Sequence, residues 1–357
     1  MGALLDKADL KAAEKTALEQ FDKTRHAEIV KLAEEPKIHG VGILTSGGDA
    51  PGMNPLIRGV GRAAVFYGLK AFGIRRGFHG LTKGEIFELG ARDFSETIQQ
   101  GGTFLMTARS QSFQTGEGLT RAKAMLEVFK IDCVFCLGGD GTWRGAAALA
   151  DQGVKIMALP ATIDNDIGAT DYTIGFDTAV NTAMDAIDKL RDTASSHERC
   201  SVVEVMGRNS GYIALSVGIA SGAEIVLIPE HPVDFMNDVV AKIISARNRG
   251  KRHYIVIVAE GAGNSQELAK RIEEMTDIET RATNLGYVQR GGSPRLRDRY
   301  TASLMGVYAV RQAIQGNFNR AIVIKNGEIT DMDIHEANAC KKSISKDLVD
   351  QAGILSF

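Results

Sequence analysis

Several features that would mark a secreted, membrane-bound or nucleic-acid-binding protein are missing. Four cysteines in 357 residues are too few for a disulfide scaffold and suit a reducing compartment. No apolar run approaches the roughly 18 residues that a membrane span needs; Tyr254–Ala259 and Ile225–Pro229 are among the longest. The amino terminus is charged throughout and lacks the apolar core of a secretory leader, so a cytoplasmic location is expected. Neither sign of charge dominates, since 42 Lys+Arg face 44 Asp+Glu for a net charge of -2. That balance argues against nucleic acid as a partner and requires any anion site to be built locally. The chain also lacks low-complexity stretches, fixed-period repeats, the G-x-x-x-x-G-K-[ST] phosphate loop and G-x-G-x-x-G.

What is present is a soluble-protein composition, 44% hydrophobic and 24% charged, with 39 glycines, well above the average of roughly 7%. The length favours two lobes over one core. Residues 4–35 are rich in Ala, Leu, Glu and Lys, with Leu10, Ala17, Leu18, Phe21, Ile29 and Leu32 at helical spacing before Pro36. They are expected to form a helical extension, 1–37, packed on the body or a sister subunit. From Ile38 short β-branched runs end in Gly/Asp-rich turns followed by Ala-rich helical stretches. That alternation predicts an α/β fold of two Rossmann-like lobes with mostly parallel sheets and the active site in the cleft between them. The expected division is 38–175 plus 289–340 for a nucleotide-binding lobe, 176–288 for a sugar-phosphate lobe and 341–357 for a tail. Cys133 and Cys136 read as opposite faces of one buried strand, not as a redox or zinc motif.

Three turns carry chemistry. Gly138-Gly139-Asp140-Gly141-Thr142 follows an apolar strand and precedes a helix expected to start near Trp143; its amides and the helix terminus suit a phosphate chain. Asp140 would repel that chain unless Mg2+ bridged the two. Thr45-Ser46-Gly47-Gly48-Asp49-Ala50-Pro51-Gly52 is a second such turn. In Thr162-Ile163-Asp164-Asn165-Asp166, extended backbone would aim Thr162, Asp164 and Asp166 to one side, allowing one carboxylate to serve as base while the other leans on a metal. Arg109, Arg199, Arg208, Arg281 and Arg290 are candidate phosphate clamps.

The segments TSGGDAPGMN, GGTFLMTAR, LGGDGT, PATIDNDI, DYTIGFDTA, RDTASSH, SVVEVMGR and LGYVQRGGSP resemble, in order, the 6-phosphofructokinase family from about Ile38 to Val310. The resemblance implies transfer of the γ-phosphoryl group of ATP, with Mg2+, to the 1-hydroxyl of fructose 6-phosphate, the committed step of glycolysis. It implies Asp164 as general base and Asp140 as a magnesium site, with Thr162, Arg109 and Arg208 meeting the transferred or sugar phosphate. Gly48, Phe78, Arg109, Gly141, Thr142 and Gly145 match nucleotide-binding positions. Asp166, Met206, Gly207, Glu260, Tyr287 and Arg290 match sugar-phosphate positions. Arg199 and Arg281 match arginines that reach a neighbour's site, so a homo-oligomer, a tetramer, is implied. Arg58, Arg62, Arg191, Glu224, Arg249, Lys251 and His253 resemble an effector site for ADP or phosphoenolpyruvate.

Tyr287 stands where a sugar-contacting His is usual, Ser110 where an aromatic covers the adenine, and Phe78 where Tyr is common. Pyrophosphate-using relatives carry an Asp after GGD and a Lys before TIDND; Gly141 and Ala161 favour ATP. The alternatives are a pyrophosphate-dependent enzyme, an NAD or lipid kinase sharing GGDGT, and a catalytically silent sugar-phosphate-sensing subunit.

Overall fold

The computed structural model describes residues 7–32, 37–108, 110, 113 and 115–356. Its strands are β1 Gly40–Ser46, β2 Lys70–Ile74, β3 Ile86–Leu89, β4 Cys133–Gly138, β5 Lys155–Thr162, β6 Ile174–Gly175, β7 Cys200–Val205, β8 Ile225–Leu227, β9 Tyr254–Ala259, β10 Thr280–Asn284, β11 Arg320–Lys325 and β12 Glu328–Asp333. Its α-helices are α1 Lys7–Leu32, α2 Met53–Phe66, α3 Gly77–Lys83, α4 Gly116–Val128, α5 Asp140–Asp151, α6 Phe176–His197, α7 Tyr212–Ser221, α8 Ala241–Asn248, α9 Ser265–Thr276, α10 Leu296–Gln315, α11 Ile334–Ala339 and α12 Lys346–Leu355.

The larger sheet runs β12-β11-β5-β4-β1-β2-β3, with β6 paired to β5, and the smaller runs β10-β7-β9-β8. Every pairing in the smaller sheet is parallel. In the larger, only the edge strands β3 and β12 are antiparallel. The mostly parallel α/β expectation therefore holds, and the runs that build its centre, such as β4 and β9, are buried along their whole length, as strands covered on both faces must be. One apolar cluster joins α2 and α10 to one face of the larger sheet and continues through Ile187 of α6 to Val203 and Ile257 of the smaller. Trp143, Phe78 and Leu126 pack the larger sheet's other face. Cys133 and Cys136 point into these two different clusters, and burial pushes both thiols up, so neither is a reactive thiolate.

One local expectation is corrected and two are given detail. The helix expected near Trp143 starts at Asp140, because Gly139 supplies the extended cap and Asp140 suits the positive helix end. The tail contains α12, capped by the Ser345 side chain on the Leu348 amide. Residues 7–32 of the extension are helical, and Leu32 packs on the core, while Leu18 and Phe21 are 59% and 56% exposed. Phe21 also meets the edge of Phe66, and Arg25 donates to the Phe66 and Val65 carbonyls at the carboxyl end of α2, where unpaired acceptors welcome a cation.

Candidate active site

Register brings the three turns together. Ser46 of β1 pairs with Gly138 of β4, and Gly138 pairs with Pro160 of β5, so the Gly47, Gly139 and Ile163 turns leave neighbouring strands about 5 Å apart. The turns are also stitched: Thr142 Oγ1 donates to the Ser46 carbonyl at 3.0 Å, and Thr107 Oγ1 to the Gly47 carbonyl at 2.7 Å. The smaller sheet does the same, since Val205 of β7 pairs with Ala259 of β9 and releases Met206 beside Glu260. The Arg208 amide then donates to Glu260 Oε1 at 2.6 Å. Ser210 Oγ donates to the Asp164 carbonyl at 3.2 Å, which joins the two sets of turns.

Asp164 lies at this junction, 8% exposed, and its Oδ1 is buried with no hydrogen-bond partner among the described residues. Burial first, then the neighbouring Asp166, pushes its carboxyl up to about 6, with Arg290 and Arg208 opposing. Asp166 is also raised, mainly by burial, and feels Asp140, Arg208 and Lys342. Asp140, Arg208, Arg290 and Lys342, from four separate segments, thus act on one carboxylate pair. Asp140, on the first turn of α5, pairs with Arg144 in an exposed ion pair. Among the described residues there is no group of three or more metal-ligating side chains. A lone carboxylate at the end of a phosphate-binding turn is the donor set Mg2+ uses when substrate phosphates fill its remaining positions, so the residues fit that ion.

Arg290 crosses to the Gly47 turn, donating to the Asp49 carbonyl at 3.2 Å. A Cβ at Gly48 would fall 1.9 Å from its Nη1, so a side chain there would displace the guanidinium from this position. Phe78 lies against Gly145 and stacks on Phe113, ring centroids 4.2 Å apart and 14° from parallel. Phe113 was not picked out from the sequence; an isolated aromatic in the polar run Ser110–Gly116 was the available signal. Gly141 is exposed, and a Cβ there would have, among the described residues, only Arg144 as a neighbour, 4.0 Å away. Ala161 is fully buried in the core, so Gly141 alone leaves open space.

The structure does not bring every candidate here. Arg109 lies outside the described residues. Tyr287 is 82% exposed. Arg199 and Arg281 both pair with Glu279 at the amino ends of β7 and β10, roughly 20 Å of strand away from Met206, Gly207 and Arg208. Of the effector set, Lys251 pairs with Glu224, Arg191 binds the Ser221 carbonyl, and burial together with Lys251 and Arg191 lowers His253. Arg249 is the residue that ends α8 and donates to Ser245 Oγ at 2.7 Å. Arg58 and Arg62 lie on α2 of the larger sheet, Arg62 near Ser95. No helix among the described residues is long and apolar enough to cross a membrane.

The phosphofructokinase family model matches residues 40–313. An ATP-dependent 6-phosphofructokinase from Clostridium botulinum (strain Loch Maree / Type A3) is 53% identical over 317 residues, covering 88% of this chain and 99% of that relative. A solved phosphofructokinase from Saccharomyces cerevisiae superposes with a TM-score of 0.78 at 34% identity, over 84% of this chain and 44% of that one. A pyrophosphate-dependent phosphofructokinase from Marinobacter aquaeolei has a TM-score of 0.78 at 21% identity, covering 89% and 91%; at that distance the likeness concerns the fold alone.

Proposed function

The chain belongs to the phosphofructokinase family, and on that premise we propose how its own residues share the work. It is a phosphotransferase that moves the γ-phosphoryl group of ATP to the 1-hydroxyl of fructose 6-phosphate, giving fructose 1,6-bisphosphate and ADP. The observation that carries the residue assignment is the buried, unpartnered Oδ1 of Asp164, an acceptor waiting for a hydroxyl. Asp164 takes the proton from the 1-hydroxyl as the oxygen attacks. Thr162 and the Gly47 and Gly139 turns orient the phosphate chain, with Gly48, Gly141, Thr142 and Gly145 along it and Phe78 and Phe113 beside the base. Met206, Gly207, Arg208, Glu260 and Arg290 hold the sugar phosphate, Asp166 sets the field around the base, and Arg109 meets the transferred group. Mg2+, held by Asp140 and the phosphates, would offset the charge of the phosphoryl group.

The larger-sheet part, 38–175 with 289–340, is the nucleotide lobe of this reading, and 176–288 the sugar-phosphate lobe. Purified protein assayed for fructose 1,6-bisphosphate should turn over with ATP and not with pyrophosphate. Turnover with pyrophosphate alone would overturn the donor assignment, and no turnover with either would favour a silent sensing subunit.

The remoteness of Arg199 and Arg281 supports an oligomer, a tetramer in this reading, in which each copy lends both arginines to a neighbour's sugar-phosphate site. Asp164→Asn and Arg281→Ala chains, each nearly inactive alone, should recover activity when co-expressed, because a mixed assembly contains one site with both groups intact. Unrecovered activity in assemblies shown to be mixed would remove the shared site. The Arg191, Glu224, Lys251 and His253 cluster, facing Arg58 and Arg62 of another copy, is the proposed effector site for ADP or phosphoenolpyruvate.

A further inference from the structure

The carboxyl-terminal segment lies beyond residues 40–313, yet it returns to the catalytic turn. The Cys340 carbonyl sits 2.3 Å from where a Cβ on Gly168 would be, so the absence of a side chain at Gly168 lets the two backbones meet. Ile344 and Val349 pack on the core, and α12 lies against α7. This anchoring delivers Lys342 Nζ to Asn165 Oδ1 at 3.0 Å and to the Asp171 carbonyl at 3.2 Å. The same ammonium lies 4.9 Å from the centre of the Tyr212 ring, at the start of α7. One cation therefore touches the TIDND turn, the loop behind it and the smaller sheet's first helix after Arg208.

Asn165 is the residue between Asp164 and Asp166. It is 5% exposed and held at φ 50, a left-handed conformation that Asn tolerates but does not prefer. Among the described residues its side-chain oxygen has one other hydrogen-bonding neighbour, Thr173 Oγ1 at 3.5 Å, whose single proton is better used on the Thr162 carbonyl at 2.7 Å. Lys342 is thus the effective donor to Asn165. Burial lowers this lysine to about 8, while Asp171 and Asp166 pull the other way; a half-buried ammonium is costly to hold and needs its partners.

We infer that Lys342 is a positioning residue for phosphoryl transfer: by clamping the Asn165 side chain it holds the strained middle of the turn and so fixes the directions in which Asp164 and Asp166 point. It touches no reacting atom. The inference rests on the proposed role of Asp164 as base.

The test compares Lys342→Met, Lys342→Arg, Asn165→Ala and the Lys342→Met/Asn165→Ala double variant in the full chain. Lys342→Met should lower kcat about 10–100-fold, the cost of a slightly misplaced reacting group. Its KM for fructose 6-phosphate and melting temperature should stay near wild type, and Lys342→Arg should recover most of the loss. Asn165→Ala should lose a comparable factor, and the double variant no more than the worse single. A Lys342→Met kcat equal to wild type, or losses that multiply in the double variant, would overturn the clamp. Should Lys342→Met fail to fold, Lys342→Arg is measured with and without Asn165→Ala; a change in kcat that persists after Asn165 is gone overturns it equally. Wild-type protein that makes no fructose 1,6-bisphosphate would overturn the catalytic reading itself, whereas an active wild type with an insensitive Lys342 sinks only the clamp.

Discussion

Replacing Asp164 by Asn should lower turnover by about 10²–10⁴-fold, the usual range for losing a positioned general base, and at neutral pH should raise the melting temperature. The two effects share a cause. Burial and Asp166 raise the Asp164 carboxyl to about 6, so the native state binds its proton more tightly than the unfolded chain does. The site therefore costs no stability below about pH 4. The cost grows as pH rises through 4 to 6, and above that it reaches roughly 3 kcal/mol, the free-energy equivalent of about two pKa units. Asn cannot ionise and escapes this cost, although its amide still needs partners. Melting curves of the two proteins should converge near pH 4 and separate by pH 7.5, with the variant higher. In the wild type the same group gives kcat/KM, which reports the free enzyme, an acid limb near pH 6, because only the carboxylate accepts the hydroxyl proton. Turnover within tenfold of wild type would dismiss Asp164 as base; an inactive variant that melts lower at pH 7.5 would dismiss the stored cost.

Asp298→Ala should be the most destabilising single change considered, by about 4 kcal/mol or more. Asp298 is fully buried on α10 and accepts four hydrogen bonds, from the Gly175 amide at 2.7 Å, the Thr178 amide at 2.9 Å, Thr178 Oγ1 and Tyr172 Oη. These donors belong to β6, the first turn of α6 and the loop before them, so one carboxylate fastens the point where the chain leaves the larger sheet for the smaller. Alanine would strand four buried donors, each worth about 1–3 kcal/mol when unsatisfied. The check is urea unfolding of Asp298→Ala and Asp298→Asn, Asn being expected to fall between because its oxygen still accepts. A loss below about 1 kcal/mol for Ala would show that water replaces the carboxylate.

Much of the site was legible because parallel strands release their turns at one end. The order of the strands was not legible: the structure sets β5, β4 and β1 side by side, and this makes neighbours of the turns that carry Asp164, Asp140 and Gly48. Edge strands were harder: β10, Thr280–Asn284, and β12, Glu328–Asp333, are polar and only partly buried, so neither shows the apolar run that marked β4. Asp298 sits in Leu296–Arg-Asp-Arg–Tyr300, which reads as solvated charge, and only the tertiary arrangement turns it inward. Lys342 was illegible for a related reason, since 177 residues separate it from Asn165 and no local pattern distinguishes it from a surface lysine. For Leu18 and Phe21, periodicity names a face of a helix but not what covers it.

The cysteines have a practical side. Cys133, Cys136 and Cys200 are sealed in the cores, with Cys200 pushed up to about 12. Cys340 alone is partly open, two positions from Lys342. A thiol-directed fluorophore would thus find a single handle on the native fold without any engineering, and its emission would report whether the tail stays docked while the enzyme turns over.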